Sequence, residues 1–510
     1  MASHTLSRRE FIRMIGMGGA GFLATSVLGA CALTGSVMTN QPLSEQTPDV
    51  EIALQAVEDD IQIFPGAATK VWRYQGELIN GPLDALQNLP ESYLGPVFRL
   101  RTGQRLRVHF SNKLREETIV HWHGLHVPQE ADGHPRLVIQ SGETYVYDFT
   151  VMDRAGTYWY HPHPHGRTGP QVYYGLAGLF LVSDDEETGL ELPQNDYDLP
   201  LVIQDRTFDS ANQLAYSRGG MMTGMMGFLG NQILVNGQPN YRQDVGGRPY
   251  RLRLLNGSNS RIYPIAWEDG SPLTVIGTDG GLLDKPVMRE FITLAPAQRI
   301  ELWVDFATWA ESSVALVNRP SAAPGSAESF PIMTFRVGLM QESLSTLPNI
   351  LSPLKPLAEG DAINHRFPRD FTLAMGRGMI WTINGKLFEM TKVARNETVK
   401  LGDLEVWRFS NQAGGGMGMM GGMSLPHPIH IHGLQFYVLD RNLDPSIGDM
   451  WSSLSNGCVD AGWHDTVLVM PGEQVKILLK FEDYTGLYLY HCHNLEHEDM
   501  GMMRNYRVVA

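Results

Sequence analysis

Short runs of hydrophobic residues, many of them alternating with polar residues, recur along the chain from about residue 50 to its end. Clusters of Gly, Pro, Asn and Asp separate these runs at intervals of roughly 8–12 residues, which is the spacing typical of β-sandwiches. No long segment carries the period of about 3.6 residues that an amphipathic helix requires. The pattern therefore predicts an all-β protein. The clearest predicted strands cover residues 104–110, 145–151, 201–204, 251–255, 299–306 and 475–481.

The 510 residues suggest about three domains, since a domain usually holds roughly 100–200 residues. An acidic, Pro-containing segment at 183–200 and a Ser-, Ala- and Pro-rich segment at 344–361 are the candidate junctions. We therefore expect β-sandwich domains at 51–190, 191–350 and 351–510. The sequences Asn236-Gly237 and Asn384-Gly385 each follow a short apolar run and predict the same hairpin in the second and third domains.

The N-terminal residues are typical of an export signal. Paired arginines, Arg8 and Arg9, precede a short, Gly-rich apolar run over 14–33, as in twin-arginine signal peptides. We expect a signal peptide at 1–32, a linker at 33–50 and export to the periplasm by the twin-arginine machinery. At the end of the signal, Cys31 leaves two outcomes open, plain cleavage or a lipid anchor on the periplasmic side. No other apolar run is long enough to span a bilayer.

Composition narrows the function. The net charge of −15 argues against a nucleic-acid-binding protein and favours a small cationic or neutral substrate. Three cysteines are too few for a disulfide scaffold. By contrast, 53 Gly, 24 Met and 17 His point to turn-rich β structure and to soft metal chemistry.

Histidine clusters lie in the first and third predicted domains, and no histidine occurs between His165 and His365. An isolated His-x-His pair is more often a surface pair than a metal site, but four clusters in one chain strongly favour metal binding. If the clusters form one centre, it lies where the first and third domains meet, with the second domain as a spacer. The candidate ligands are His121, His123, His161, His163, His427, His430, His432, His491, Cys492, His493 and His497.

Strand geometry sorts these ligands into two sites, because side chains alternate between the faces of a strand. On the last predicted ligand strand, His491 and His493 share one face and Cys492 takes the other. Peptide bonds join Cys492 directly to His491 and His493, whose side chains lie on the opposite face. Electrons that enter at one site therefore have a short covalent route to the other.

The first site combines Cys492 with His427, and with nearby His497 and Met502. A thiolate, two imidazoles and a weak thioether are the donor set of blue-copper electron-transfer sites. Zinc sites, by contrast, usually contain paired Cys-x-x-Cys ligands. The second site collects the eight paired histidines, which suit about three copper ions with positions left open for an oxygen species.

These motifs resemble those of the multicopper oxidases, in particular the three-domain bacterial copper-efflux (cuprous) oxidases and bacterial laccases. The resemblance extends from about residue 50 to the C-terminus and implies three cupredoxin-like Greek-key β-sandwich domains that hold four copper ions. It implies a type 1 site of His427, Cys492, His497 and Met502, and a type 2 site of His121 and His430. It implies a binuclear type 3 site with His123, His161 and His493 on one ion and His163, His432 and His491 on the other.

The resemblance also implies the reaction, in which four one-electron oxidations of a donor are coupled to the reduction of one O2 to two waters. Protons are consumed, so acids near the centre matter. Asp132, eleven residues after His121, and Glu498, directly after His497, match the family's proton-supplying acids. The implied partners are O2, a small electron donor and the export machinery, for a monomeric enzyme.

Methionines cluster at 219–226 and again at 414–423, just before His427. Thioethers are soft ligands that prefer Cu(I), so the second cluster predicts cuprous ion as the electron donor at the type 1 site. The Gly residues between the methionines predict loops rather than helices. The candidate Cu(I) ligands are Met417, Met419, Met420 and Met423.

Two alternatives are left open. A laccase that oxidises small phenolic donors is the alternative within the enzyme class, since an open type 1 site accepts bulky aromatic molecules. A copper-sequestering or structural protein of the cell envelope, without turnover, is the alternative outside it. Oxygen uptake with an electron donor distinguishes an enzyme from such a protein.

Overall fold

The structure is a computed structural model that describes residues 37–38, 46–216, 221–343, 345–354, 357–376, 380–412 and 425–510. Strands dominate these residues and form sheets that pack in pairs as three sandwiches, at 37–183, 198–340 and 369–509. The prediction of an all-β protein is therefore confirmed. Within the described ranges, no helix is long and apolar enough to cross a membrane. The predicted signal at 1–32, with Cys31, lies outside them.

The first sandwich consists of β1 (Val37–Met38), β2 (Val50–Ile61), β3 (Thr69–Asn80), β4 (Leu86–Gln87), β5 (Val97–Arg101), β6 (Arg105–Asn112), β7 (Val120–His123), β8 (Thr144–Thr150), β9 (Gly156–Pro162) and β10 (Gly178–Ser183). Its sheets have the orders β1-β8-β6-β2-β3 and β4-β5-β10-β9-β7. Because side chains alternate along each strand, Phe98, Trp122 and Phe180 are buried together between the sheets.

The second sandwich consists of β11 (Asp198–Arg206), β12 (Gln232–Val235), β13 (Gln238–Pro239), β14 (Arg242–Gly247), β15 (Pro249–Asn256), β16 (Tyr263–Trp267), β17 (Leu273–Thr278), β18 (Gly281–Arg289), β19 (Ile292–Leu294), β20 (Arg299–Asp305), β21 (Ser313–Asn318) and β22 (Phe330–Met340). The sheet orders are β13-β12-β11-β15-β20-β17-β18 and β14-β22-β21-β16-β19. Its core contains no proposed ligand among the described residues.

The third sandwich consists of β23 (Arg369–Met375), β24 (Trp381–Ile383), β25 (Thr398–Lys400), β26 (Leu404–Asn411), β27 (His427–Ile431), β28 (Phe436–Leu443), β29 (Thr466–Val469), β30 (Glu473–Lys480), β31 (Gly486–Cys492) and β32 (Met503–Val509). The sheet orders are β24-β23-β26-β30-β28 and β25-β32-β31-β27-β29. In each sandwich, strands distant in sequence pair in parallel (β2 with β6, β11 with β15, β23 with β26). Such pairing reflects the crossover connections of Greek-key folds.

The six predicted strands coincide with observed ones, namely β6, β8, β11, β15, β20 and β30. The two Asn-Gly turns are also equivalent, as predicted. In both turns the Asn and the Gly have positive φ angles, between 52° and 80°, which is the geometry of a type I′ turn. The Asn side chain of each turn accepts a hydrogen bond from a backbone N–H of the neighbouring strand, at 2.8 and 2.7 Å.

Helices are short and lie in the connections. The α-helices are α1 (Thr168–Tyr174), α2 (Asp185–Thr188), α3 (Met221–Met226), α4 (Pro445–Ser455) and α5 (Leu495–Asp499), and 3-10 turns cover Leu83–Ala85, Pro135–Leu137, Asn195–Tyr197, Phe306–Trp309, Glu359–Asp361 and Arg395–Glu397.

The helix α3 shows that the prediction of a loop for the first methionine cluster was wrong. So short a helix is not stable alone, and packing against α5 holds it. At the contact, a Cβ on Gly224 would lie 3.0 Å from the sulfur of Met500. The glycine therefore permits a close approach between α3 and the residue after α5.

A buried ion network fastens the first sandwich to the second. The carboxylate of Glu301 accepts hydrogen bonds from Thr157 Oγ1 at 2.6 Å, Arg251 Nε at 2.9 Å and Arg253 Nη1 at 3.0 Å. Arg253 Nε also donates to Asp198 at 2.6 Å. Burial alone would raise the pKa of Glu301, but the two guanidinium groups lower it to about 2. Glu301 is therefore ionised at neutral pH.

Replacing Glu301 by Gln is expected to lower the free energy of unfolding by roughly 3 kcal/mol, because two buried guanidinium groups lose one of the two carboxylates that they share, the other being Glu187. Equilibrium unfolding in denaturant measures the change. The control is Asp244→Asn, which breaks an exposed ion pair with Arg336 and should leave the unfolding midpoint unchanged. Equal stability of the two variants would contradict the importance of the network.

Candidate metal centre

Eight imidazoles meet where the first and third sandwiches touch. Neighbouring strands supply them in pairs, with His121 opposite His161 on β7 and β9, and His430 opposite His491 on β27 and β31. None of the eight is more than 1% exposed. The full set is His121, His123, His161, His163, His430, His432, His491 and His493.

Ring nitrogens from the two sandwiches face each other at short range. His121 Nε2 lies 3.3 Å from His430 Nε2, and His491 Nε2 lies 3.3 Å from His163 Nε2 and 3.1 Å from His432 Nε2. Burial lowers the pKa of the His121 and His432 rings, and that of His163 to about 4. These three rings are therefore neutral at pH 7, which is the form that binds a metal.

A further group of imidazoles lies beside these rings. His123 Nδ1 is 3.3 Å from His161 Nε2, and the ring centroid of His493 is 5.1 Å from that of His123 and 5.2 Å from that of His161. Neither ring nitrogen of His493 has a hydrogen-bond partner among the described residues, although the side chain is buried. Buried polar atoms without a partner are rare. A metal ion beside these three rings would supply that partner, so the residues fit one.

Cys492 faces away from the imidazoles, into the core of the third sandwich. Its Sγ lies 3.4 Å from His427 Nδ1 and 3.6 Å from His497 Nδ1. The carbonyl of Met502, which belongs to the same buried cluster, accepts from the Cys492 N–H at 3.0 Å. Burial raises the pKa of the Cys492 thiol and lowers that of His497 to about 3. A bound soft cation is what would hold this sulfur as a thiolate.

Two buried carboxylates adjoin the imidazole group. Asp132 Oδ2 accepts from His432 Nδ1 at 2.9 Å, while Oδ1 has no hydrogen-bond partner among the described residues. Burial raises the pKa of Asp132. Glu498 lies 3.5 Å from His163 Nε2 and 3.2 Å from His491 Nδ1. Burial alone would raise its pKa, but these two imidazoles lower it to about 2.

The outer nitrogen of His497 is covered by α3. His497 Nε2 donates to the carbonyl of Met225 at 2.9 Å. The indole of Trp381 lies against both imidazoles of this site, with ring centroids 4.6 Å from His427 and 4.8 Å from His497. The sequence assigned the cover to the second methionine cluster, but Met417, Met419, Met420 and Met423 lie outside the described residues.

Sequence reasoning missed the residues that hold the centre in place. Glu496, between two proposed ligands, accepts from Tyr216 Oη at 2.7 Å, Asn259 Nδ2 at 2.9 Å and the Phe228 N–H at 2.9 Å. These donors lie in the second sandwich, at 198–340, which therefore does more than separate the other two sandwiches. The only sequence signal was a charged residue within a motif of ligands. Asp465 was missed as well, because it lies outside the four histidine clusters.

Comparisons with known proteins agree with this site. Models of the multicopper oxidase family match residues 74–187 and 363–510. The chain is 32% identical to a laccase of Bacillus stratosphericus, over 86% of this chain and 90% of that protein. The structure is similar to the McoA multicopper oxidase of Aquifex aeolicus, with 37% identity, a TM-score of 0.77, and 92% and 100% of the two chains covered. It is also similar to a multicopper oxidase of Campylobacter jejuni termed a metallo-oxidase, with 26% identity, a TM-score of 0.73, and 93% and 95% covered.

Replacing Cys492 by Ser is expected to abolish the strong visible absorption of the copper-loaded protein, because a hydroxyl cannot replace the thiolate donor. Copper held by the imidazoles should stay bound, since they face the other way. The visible spectrum and copper content of one sample check both statements. The control Cys458→Ser changes a half-buried thiol elsewhere in the third sandwich and should keep the colour. A coloured Cys492→Ser protein would contradict the geometry.

Proposed function

The chain belongs to the multicopper oxidase family, and we propose that its physiological electron donor is cuprous ion, Cu(I). The protein is an oxidase with O2 as acceptor, and its cofactors are type 1, type 2 and type 3 copper ions. When bound, these ions supply one-electron oxidation of the donor and reduction of O2 to water.

The proposed ligands are grouped by which ring nitrogens, and which sulfur, lie close together. The short distances between His427, Cys492 and His497 support a type 1 site completed by buried Met502. The contact between His121 and His430 supports the type 2 site. For the type 3 pair the proposed groups are His123, His161 and His493, and His163, His432 and His491.

The cover over His497 is the observation that carries the choice of Cu(I). Because His497 Nε2 is bonded to the Met225 carbonyl, this nitrogen is not available to a phenol hydroxyl. The helix that provides the carbonyl also carries half-buried Met225 and Met226, and its Gly224 lies close to the sulfur of Met500. Thioethers bind Cu(I) in preference to hard cations and neutral phenols. A similar solved oxidase is termed a metallo-oxidase, which also supports a metal donor.

The chain's own residues provide an electron route and proton donors. Cys492 receives electrons on the core side, and its main chain leads directly to His491 and His493 on the other side. Asp132 hydrogen-bonds His432 through one oxygen, so its second oxygen is the atom that holds a proton for transfer. Glu498, beside His163 and His491, is ionised because these imidazoles lower its pKa to about 2, so it accepts protons and passes them on from the other end of the imidazole group.

A laccase is the second candidate, because the chain is 32% identical to a laccase over most of its length. In that case a phenol would displace α3 from His497. A copper-sequestering protein without turnover is less well supported, since every ligand and both proposed acids are present and buried.

We also propose domains at 51–190, 191–350 and 351–510, export by the twin-arginine machinery and a periplasmic, monomeric enzyme. The paired Arg8 and Arg9 support export, and Cys31 is the site of a lipid anchor if the signal is not simply cleaved. A net charge of −15 argues against nucleic acid as a partner.

Cu(I) is expected to be oxidised faster than a dimethoxyphenol, and deletion of residues 414–423 should reverse this preference.

Substituting Met225 and Met226 together by Leu keeps the apolar bulk and removes the sulfur, so kcat/KM for Cu(I) should fall roughly tenfold, or ~1.4 kcal/mol. Steady-state oxygen uptake with each donor measures both effects. The control is Met288→Leu on the exposed edge of the second sandwich. Unchanged Cu(I) turnover in both methionine variants would defeat the proposed donor.

Asp132→Asn and Glu498→Gln should each lower kcat roughly 10²-fold, since the first removes a proton donor and the second an ionised proton relay from the oxygen-reducing site. Anaerobic bleaching of the blue colour by the donor should be as fast as in the wild type, because neither residue contacts Cys492 among the described residues. Stopped-flow absorbance separates the two steps. Slow bleaching would show instead that electron entry was damaged.

A further inference from the structure

We propose that Arg299 and Asp465 are positioning residues for the oxygen-reducing centre: this buried ion pair sets which nitrogen of His123 faces the metal. The inference rests on the proposed function, because it takes His123 and His430 as copper ligands. Neither residue of the pair belongs to a ligand motif, and Arg299 comes from the second sandwich, which supplies no ligand among the described residues.

Asp465 contacts two of the proposed ligands at once. Its Oδ1 accepts from His123 Nε2 at 3.0 Å and from Thr466 Oγ1 at 2.9 Å. Its backbone carbonyl accepts from His430 Nδ1 at 2.8 Å. One residue therefore orients a ring of the proposed type 3 pair and a ring of the proposed type 2 site.

These contacts decide the tautomer of His123. With Nε2 carrying the proton toward Asp465, Nδ1 keeps its lone pair and faces His161 Nε2 at 3.3 Å. A hydrogen bond to the outer nitrogen of a ligating histidine fixes the ring orientation in this way. His430 is held in the opposite sense, with Nδ1 bonded to Asp465 and Nε2 facing His121.

Arg299 fixes Asp465 in turn. Its Nη1 donates to Asp465 Oδ1 at 2.8 Å and its Nη2 donates to Oδ2. Its Nε donates to the carbonyl of Thr157 in the first sandwich at 2.8 Å, and its Nη2 to the carbonyl of Asp279 in the second at 2.9 Å. Both side chains of the ion pair are fully buried. A single guanidinium therefore links all three sandwiches next to the ligands.

The backbone after His123 is shaped to admit this pair. Gly124 has φ of +88°, a conformation that favours glycine. A Cβ at this position would lie 2.5 Å from Asp465 Oδ2 and 2.9 Å from Arg299 Nη2. The glycine that follows the His-x-His pair is therefore required for Asp465 to reach His123.

The deciding experiment replaces both members of the ion pair together, in two ways. Asp279, which lies 3.4 Å from Arg299 Nη1, keeps His464 at 3.7 Å as an ionic neighbour in both variants. Arg299→Met with Asp465→Leu fills the space with apolar groups, a change that folded proteins often tolerate, but offers no acceptor to His123. Arg299→Gln with Asp465→Asn keeps an acceptor oxygen. Copper per chain under chelator competition, the type 2 electron paramagnetic resonance signal and the blue absorbance are measured on each protein.

The apolar pair, Arg299→Met with Asp465→Leu, is expected to weaken copper binding at the imidazole centre roughly 10–100-fold and to alter the type 2 signal. The blue absorbance per chain should be unchanged. The amide pair, Arg299→Gln with Asp465→Asn, should restore most of the copper bound at the imidazole centre. The matched control, Arg261→Met with Asp205→Leu, removes another buried ion pair of the second sandwich and should retain all copper.

Full copper and an unaltered type 2 signal in the apolar pair would overturn the inference. So would the loss of blue absorbance together with the other copper, which indicates a purely structural role. The single variant Arg299→Met leaves Asp465 in place without its partner. Full retention of copper in this variant would overturn positioning by the pair and would indicate that Asp465 is itself a ligand. Failure of the proposed function would be visible separately, as wild-type protein without blue colour or oxygen uptake.

Discussion

The chemistry of this protein depends on the register between two neighbouring strands. β27 and β31 pair so that Ile429 lies opposite Cys492 and His430 opposite His491. Consecutive residues therefore enter different environments, the sulfur an apolar core and the imidazoles the interface between sandwiches. A slip of one residue would exchange the two sets of side chains. In the proposed assignment, the site of electron entry and the site of oxygen reduction are therefore separated by a single peptide unit.

Carboxylates determine how the buried imidazoles are held. Asp132, Asp465 and Glu498 each contact the ring of at least one proposed ligand, and none is more than 2% exposed. Burial raises the pKa of Asp132, whereas the neighbouring imidazoles lower the pKa of Glu498. One acid is therefore suited to retain a proton and the other to remain ionised.

The parts of the molecule that local pattern determines were predictable from the sequence. Alternation along strands predicted the β class, six strand positions and the opposite faces of Cys492 and its neighbours, because each depends on residues one or two positions apart. The two Asn-Gly turns followed from the same local logic. The helix α3 and the pair of Arg299 and Asp465 did not, since they depend on contacts between residues more than 150 positions apart. Such contacts arise only when the sandwiches dock.

The imidazole group draws half of its members from the first sandwich and half from the third. Each half is preorganised on its own sheet, but neither half holds the complete set. Copper affinity and the docking of the sandwiches are therefore two sides of one thermodynamic cycle. Any change that stabilises the docked sandwiches raises the affinity for copper. Bound copper in turn stabilises the docked state, so that the sandwiches unfold as one unit.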